Sequence, residues 1–296
     1  MKKVLVLGGT RFFGQKLVER LIQAGHEVTI LTRGQSAHPF GERVEQLIAD
    51  RYQPEELAAA VENRTFDLVY DNICYSPNAA KQFCDIFNGK IGKLVFTSTL
   101  ATYEASGEAH VETDFDPYTY EIVMGDTNDF SYGEGKRQAE AVFFQYAKFP
   151  VVAVRFPIVM GEDDYTRRLH FHIEHTLQGK PMGFVNMDAE MSFILAEEAA
   201  DFLKFAGDTN IEGPFNATST GTISLQHLIE LVEEATSKRA RIALLGNDES
   251  RSPYAIPKSW YMLPTKAQQA GFTFSELHTW LRDLVQAIAT TAKQGD

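Results

Sequence analysis

A chain of 296 residues with 44% hydrophobic content can bury one large core or two unequal ones. Its 28 basic against 40 acidic side chains give a formal net charge of −12, which disfavours nucleic acid as a partner, because phosphate-backbone affinity rests on clustered Lys and Arg. No apolar run reaches the length of a membrane span, and the two cysteines, Cys74 and Cys84, are too few for a disulfide scaffold.

Met1-Lys2-Lys3 opens onto the apolar run Val4-Leu5-Val6-Leu7, which Gly8-Gly9-Thr10-Arg11 breaks too early for a signal peptide. The expected location is therefore the cytoplasm. The same stretch predicts a strand over 4–7, a tight turn through Gly8-Gly9-Thr10-Arg11-Phe12-Phe13-Gly14, and a helix near 13–24 with Leu17, Val18, Leu21 and Ile22 at helical spacing. Such a turn carries backbone N–H groups and a helix N-terminus toward a pyrophosphate. Gly8 and Gly14 fit its outer positions, while Arg11 stands where the usual fingerprint has its middle glycine. A plain glycine-rich turn is the competing reading.

A second strand, 27–32, ends in Arg33. An acid there would bind the ribose diol of NAD, whereas an arginine can meet a 2′-phosphate, so NADP is the expected cofactor and NAD the alternative. Arg11 can reinforce that preference, or both arginines are merely solvated. The third strand, 44–49, leads to Asp50-Arg51, where a carboxylate can accept from the adenine amino group or simply serve a turn. A helix near 54–61, a strand at 67–71 running to Asn72, a helix near 77–88, a strand at 93–98, a helix near 131–147 and a strand at 151–156 complete the alternation. The pattern predicts an α/β fold, a Rossmann-type doubly wound parallel sheet with ligands outside the carboxyl ends of its strands. Gly8, Arg33, Asp50, Asn72, Thr99 and Pro157 would gather there.

After Pro157 the pattern loosens. Residues 1–163 with 191–216 form the expected dinucleotide-binding domain, and 164–190 with 217–296 a smaller substrate-binding region. His170, His172 and His175 look like metal ligands, but on a helix the first two point roughly 200° apart, so no metal is expected. Asp163-Asp164-Tyr165-Thr166-Arg167-Arg168 is either a surface turn or the mouth of a cleft where Arg168 clamps a phosphate or carboxylate.

Tyr132 and Lys136 stand four residues apart, about one helical turn, so phenol and ammonium can face one reacting atom. A neighbouring ammonium favours the phenolate, and the Thr99 hydroxyl can hold a substrate oxygen beside it.

Taken together, Gly8 to Gly14, Asp50-Arg51, Thr97-Ser98-Thr99 with Tyr103, Tyr132 to Lys136 followed by Arg137 and Glu140, and Arg155-Phe156-Pro157 resemble the extended and atypical short-chain dehydrogenase/reductases. The branch is the one labelled NAD-dependent epimerase/dehydratase, and the matching pieces run almost end to end. The resemblance implies Thr99, Tyr132 and Lys136 as catalytic residues, with Lys136 also touching the nicotinamide ribose. It implies Gly8, Thr10, Arg11, Phe12, Phe13, Gly14, Arg33, Asp50, Arg51, Asn72 and Thr97 around the cofactor, with Pro157, Ile158 and Val159 lining the nicotinamide. Tyr103 and Arg168 are the expected substrate contacts.

The implied activity is reduction or epimerisation of a hydroxyl or carbonyl compound, a nucleotide sugar among the candidates. Dehydration is disfavoured, since Leu100-Ala101 replace the Asp-Glu that a 4,6-dehydratase places after its threonine. Arg11 is shared with an atypical branch that includes the chloroplast stem-loop RNA-binding proteins, which keeps a dinucleotide sensor or an RNA-binding protein as the alternative. Many relatives form homodimers through the helices near 77–88 and 131–147, with Phe143 and Phe144 the candidates here.

Overall fold

The computed structural model describes residues 1–35, 37–244 and 250–294. Seven parallel strands form its central sheet: β1 (Lys3–Leu7), β2 (Glu27–Thr32), β3 (Glu45–Ile48), β4 (Leu68–Asp71), β5 (Leu94–Thr99), β6 (Val151–Phe156) and β9 (Gly213–Asn216). They run in the order β9-β6-β5-β4-β1-β2-β3. A short parallel pair, β7 (Ile158–Met160) with β8 (Phe193–Leu195), continues beyond β6.

The expected Rossmann-type sheet is thus present, with helices on both faces. Side chains alternate across a strand, so Val4 and Val6 enter one core while Leu5 and Leu7 enter the other. On the first face α1 (Phe12–Gln23) packs against α6 (Ala196–Asp208) through Leu17, Val18, Leu21, Phe202 and Leu203. On the second, α2 (Pro54–Ala60), α3 (Pro77–Phe87) and α4 (Tyr132–Tyr146) bury Leu57, Phe83, Phe87, Val142 and Phe143. Fully burying one such side chain is worth about 1.5–3 kcal/mol. Local signals fix the helix starts: Ser76 caps α3 ahead of Pro77, and Ser131 caps α4 by accepting from the Glu134 N–H.

A third core gathers α5 (Arg168–Gln178), α7 (Leu225–Thr236) and α8 (Leu277–Gln294) around Ile173, Val232, Leu281 and Val285. The segment 265–274 packs by Ala267 and Phe274 into the α1–α6 face of the sheet. Phe143 lies in the core, and Phe144 packs on Tyr118 at 4.8 Å.

Residues 117–126 run as a strap along α4. Gln138 accepts from the Val123 N–H and donates to the Glu121 carbonyl, while Gln145 donates to the carbonyls of Pro117 and Tyr120. Asn78 at the start of α3 donates to Asp126. No helix among the described residues is long and apolar enough to cross a membrane.

Candidate functional site

The carboxyl ends of β1, β2, β4, β5 and β6 open onto one cavity of about 940 Å³, closed on its far side by the start of α5 and by Pro253 and Trp260. The glycine turn forms its floor. Gly8 has φ +80°, and a Cβ on Gly14 would sit 2.3 Å from the Gly8 carbonyl oxygen, so the turn can close only with glycine at position 14. Thr10, Arg11, Phe12, Phe13, Asp50 and Asn72 also reach the cavity, as do Thr97, Pro157, Ile158 and Val159. Arg33 is exposed at the end of β2, with no ion pair among the described residues.

Three expected residues stand differently from their predicted roles. Arg51 touches the cavity but is 2% exposed, and its guanidinium is committed to Asp71 Oδ2 at 2.6 Å and the Ala79 carbonyl at 2.9 Å. Its charge serves the wall. Tyr103 is not in the cavity wall: its hydroxyl donates to Asn216 at 2.7 Å and accepts from Arg155 Nη1 at 2.7 Å, deep in a buried network. Lys136 is 1% exposed and donates to the carbonyls of Cys74 and Thr97, each at 2.8 Å, with Tyr75 and Phe96 rings beside it. Burial pushes its pKa down to about 8, against the pull of Cys74 and Asp71.

Tyr132 begins α4 and opens onto the cavity, 58% exposed, with protein on its remaining sides. Loss of surrounding water raises its phenol, and the Thr99 hydroxyl and the Arg168 charge pull it back. The expectation was a phenol lowered by Lys136. In the structure the ammonium is turned into the wall, and the phenol is raised by its surroundings, with Thr99 and Arg168 opposing the rise. Thr99 itself, at the end of β5, accepts from the Ala101 N–H at 3.1 Å.

Arg168, the first residue of α5, lines the cavity with no ion pair among the described residues, and the nearby Asp164 accepts from the Thr166 N–H and hydroxyl. The neighbouring histidines are packed apart. His172 is fully buried between the Arg168 carbonyl and Ser252; since that carbonyl only accepts, Nδ1 carries the proton and Nε2 accepts from the serine hydroxyl at 2.7 Å. Its neighbour His175 lies against Phe171. No cluster of three potential metal ligands occurs among the described residues.

Sequence reasoning missed Tyr52, Tyr75, Met191, Pro253 and Trp260, all of which line the cavity, while Tyr165 does so from the segment expected as a surface turn or cleft mouth. Tyr52 and Tyr75 carried a usable signal, each lying just beyond the end of a sheet strand where cavity residues collect.

A parallel sheet of this order, with a glycine turn and a Thr–Tyr pair facing one cavity, defines a Rossmann-type α/β protein. Residues 4–82 match the model of the NAD dependent epimerase/dehydratase family. The chloroplast stem-loop binding protein of 41 kDa b from Arabidopsis thaliana is 34% identical over 224 residues, covering 70% of this chain and 56% of that protein. The chain thus spans about half the length of that relative.

A putative epimerase from Burkholderia cenocepacia J2315 superposes with a TM-score of 0.76 at 18% identity over 98% of each chain. UDP-glucuronic acid 4-epimerase from Bacillus cereus, solved with UDP-glucuronic acid and NAD, gives 0.73 at 19% identity over 99% of this chain and 100% of that one. At such identities the likeness is one of fold.

Proposed function

We propose that the chain is an epimerase-type enzyme that binds NADP, with NAD as the alternative, and acts on a hydroxyl-bearing carbon of a small polar compound, a nucleotide sugar being the leading candidate. The observation that carries this reading is the meeting of Thr99 and Tyr132 on the wall of the cavity floored by the Gly8–Gly14 turn. The turn can close in its observed form only because positions 8 and 14 lack side chains, and Arg33 follows β2 with no acid next to it in sequence for a ribose diol. When bound, the cofactor supplies the hydride acceptor.

The chain's own groups handle the proton. Thr99 holds the substrate oxygen, Tyr132 exchanges the proton on that oxygen, and the Arg168 charge favours the phenolate when the proton has been taken. Lys136 braces the ends of β4 and β5 behind them, keeping Thr97 and the 72–75 loop in place. Arg168 is also the group to meet an acidic substituent of the substrate.

Thermal unfolding with NADP(H), NAD(H) and nucleotide sugars tests the reading, because a ligand of the folded state raises the midpoint. No shift with any dinucleotide would overturn it. Arg33→Asp should weaken NADP more than NAD, by about 1–3 kcal/mol, and equal losses would overturn the NADP preference.

RNA binding is a second reading, favoured by the 34% identity to a stem-loop binding protein. The net charge of −12 opposes it, and a salt-titrated RNA-binding assay separates the two.

A further inference from the structure

Arg11 occupies the middle position of the glycine turn, where a Rossmann backbone comes nearest the pyrophosphate. It sits at the N-cap of α1 in extended backbone, φ −138° and ψ 150°, exposed on the cavity wall. Nearby cations are taken: Lys16 pairs with Asp163 and Glu197, and Arg20 with Glu197 and Asp201. Arg11 has no such partner among the described residues, in a chain with 40 acids for 28 bases. Its point of attachment is fixed. Phe12 holds φ +50°, costly for a bulky residue, and is kept there by an edge contact with Tyr165 at 6.2 Å and by Gly161, where a Cβ would lie 2.9 Å from its ring.

A glycine at position 11 would leave only N–H donors facing the phosphates; an arginine adds a full positive charge from a fixed point of attachment. We propose that Arg11 clamps the pyrophosphate of the dinucleotide and keeps the cofactor resident through many turnovers. The inference rests on the dinucleotide reading above and deepens it. A resident cofactor suits epimerisation, in which the hydride taken from the substrate carbon returns to that carbon and the proton taken by Tyr132 returns to the same oxygen. No external oxidant or reductant enters, so the cofactor has no need to leave. Arg33, at the tip of a different strand, remains the residue for a 2′-phosphate.

The test uses the full chain with Arg11→Met and Arg11→Ala, and NADP, NAD and ADP-ribose as probes in calorimetric titration and stopped-flow dissociation. All three ligands should weaken by a similar factor, about 10-fold to 100-fold for a lost charge-assisted contact, with the change mainly in the dissociation rate. Loss confined to NADP would show that the guanidinium reads the 2′-phosphate and would overturn the clamp. Unchanged binding in both variants would overturn it equally. A wild-type protein that binds none of the three removes the dinucleotide reading and the clamp together, a result distinct from either variant outcome.

Discussion

Glu140→Gln removes one charge from a fully buried ion pair and leaves the shape of the side chain intact. Both Glu140 and Arg155 are 0% exposed, with Arg155 Nη2 2.6 Å from Glu140 Oε2 and Nε at 3.1–3.2 Å from both carboxylate oxygens. Ser98 donates to the same carboxylate, and Arg155 also donates to Tyr103 and to the carbonyls of Glu112 and Phe115. Removing one partner of such a pair leaves the other charge uncompensated away from water, which costs about 3–5 kcal/mol. Against a typical total of about 5–15 kcal/mol, that is a large share. Arg155→Met should cost as much, since Glu140 then keeps only Ser98. The double variant should fall well short of the sum, because neither charge is stranded in it. Urea unfolding of the four proteins measures the cycle. Single-variant losses below about 1 kcal/mol, or a strictly additive double variant, would refute the reasoning.

Tyr132→Phe keeps the ring and removes the proton-exchanging oxygen, so turnover on an accepted substrate should fall about 10²–10⁴-fold with unfolding unchanged; an undiminished rate would end its assignment. Gly14→Ala places a methyl 2.3 Å from the Gly8 carbonyl oxygen, and both the unfolding midpoint and dinucleotide affinity should drop, as thermal shift with and without NADP will show. His172 is held neutral by burial, its pKa pushed down to about 3 from 6.5. The unfolded chain therefore binds the extra proton first, so stability is full above pH 6.5 and lost as pH falls from there toward 3, by no more than about 5 kcal/mol. His172→Gln should flatten that part of the stability–pH curve relative to wild type, and parallel curves would exclude the role.

The sheet was readable because strands buried on both faces appear as apolar runs, as in Val4–Leu7 and Val151–Val154. β9 was not, since Gly213 and Pro214 speak against a strand; its place at the sheet edge is what tolerates the proline. At the site, Gly8, Gly14, Thr99 and Tyr132 were legible because their spacing follows local strand–turn–helix geometry. Arg51 and Tyr103 were not, because each is claimed by a residue distant in sequence, Asp71 and Arg155. The wall formed by Met191, Pro253 and Trp260 depends on chain packing far from any motif.

The strap over α4 bears on self-association. A second copy whose helices approached α4 from outside would first meet residues 117–126 and would have to displace them. Release strands the side-chain amides of Gln138 and Gln145, which hold the carbonyls of Pro117, Tyr120 and Glu121 and the Val123 N–H. At about 0.5–1.5 kcal/mol for each hydrogen bond, plus the packing of Tyr118 on Phe144, an interface made there starts with a deficit of several kcal/mol. The alternative is to build on the strap itself, whose outer side presents Tyr118, Val123 and Met124 to solvent, so that a dimer of this chain would bury the strap between the copies.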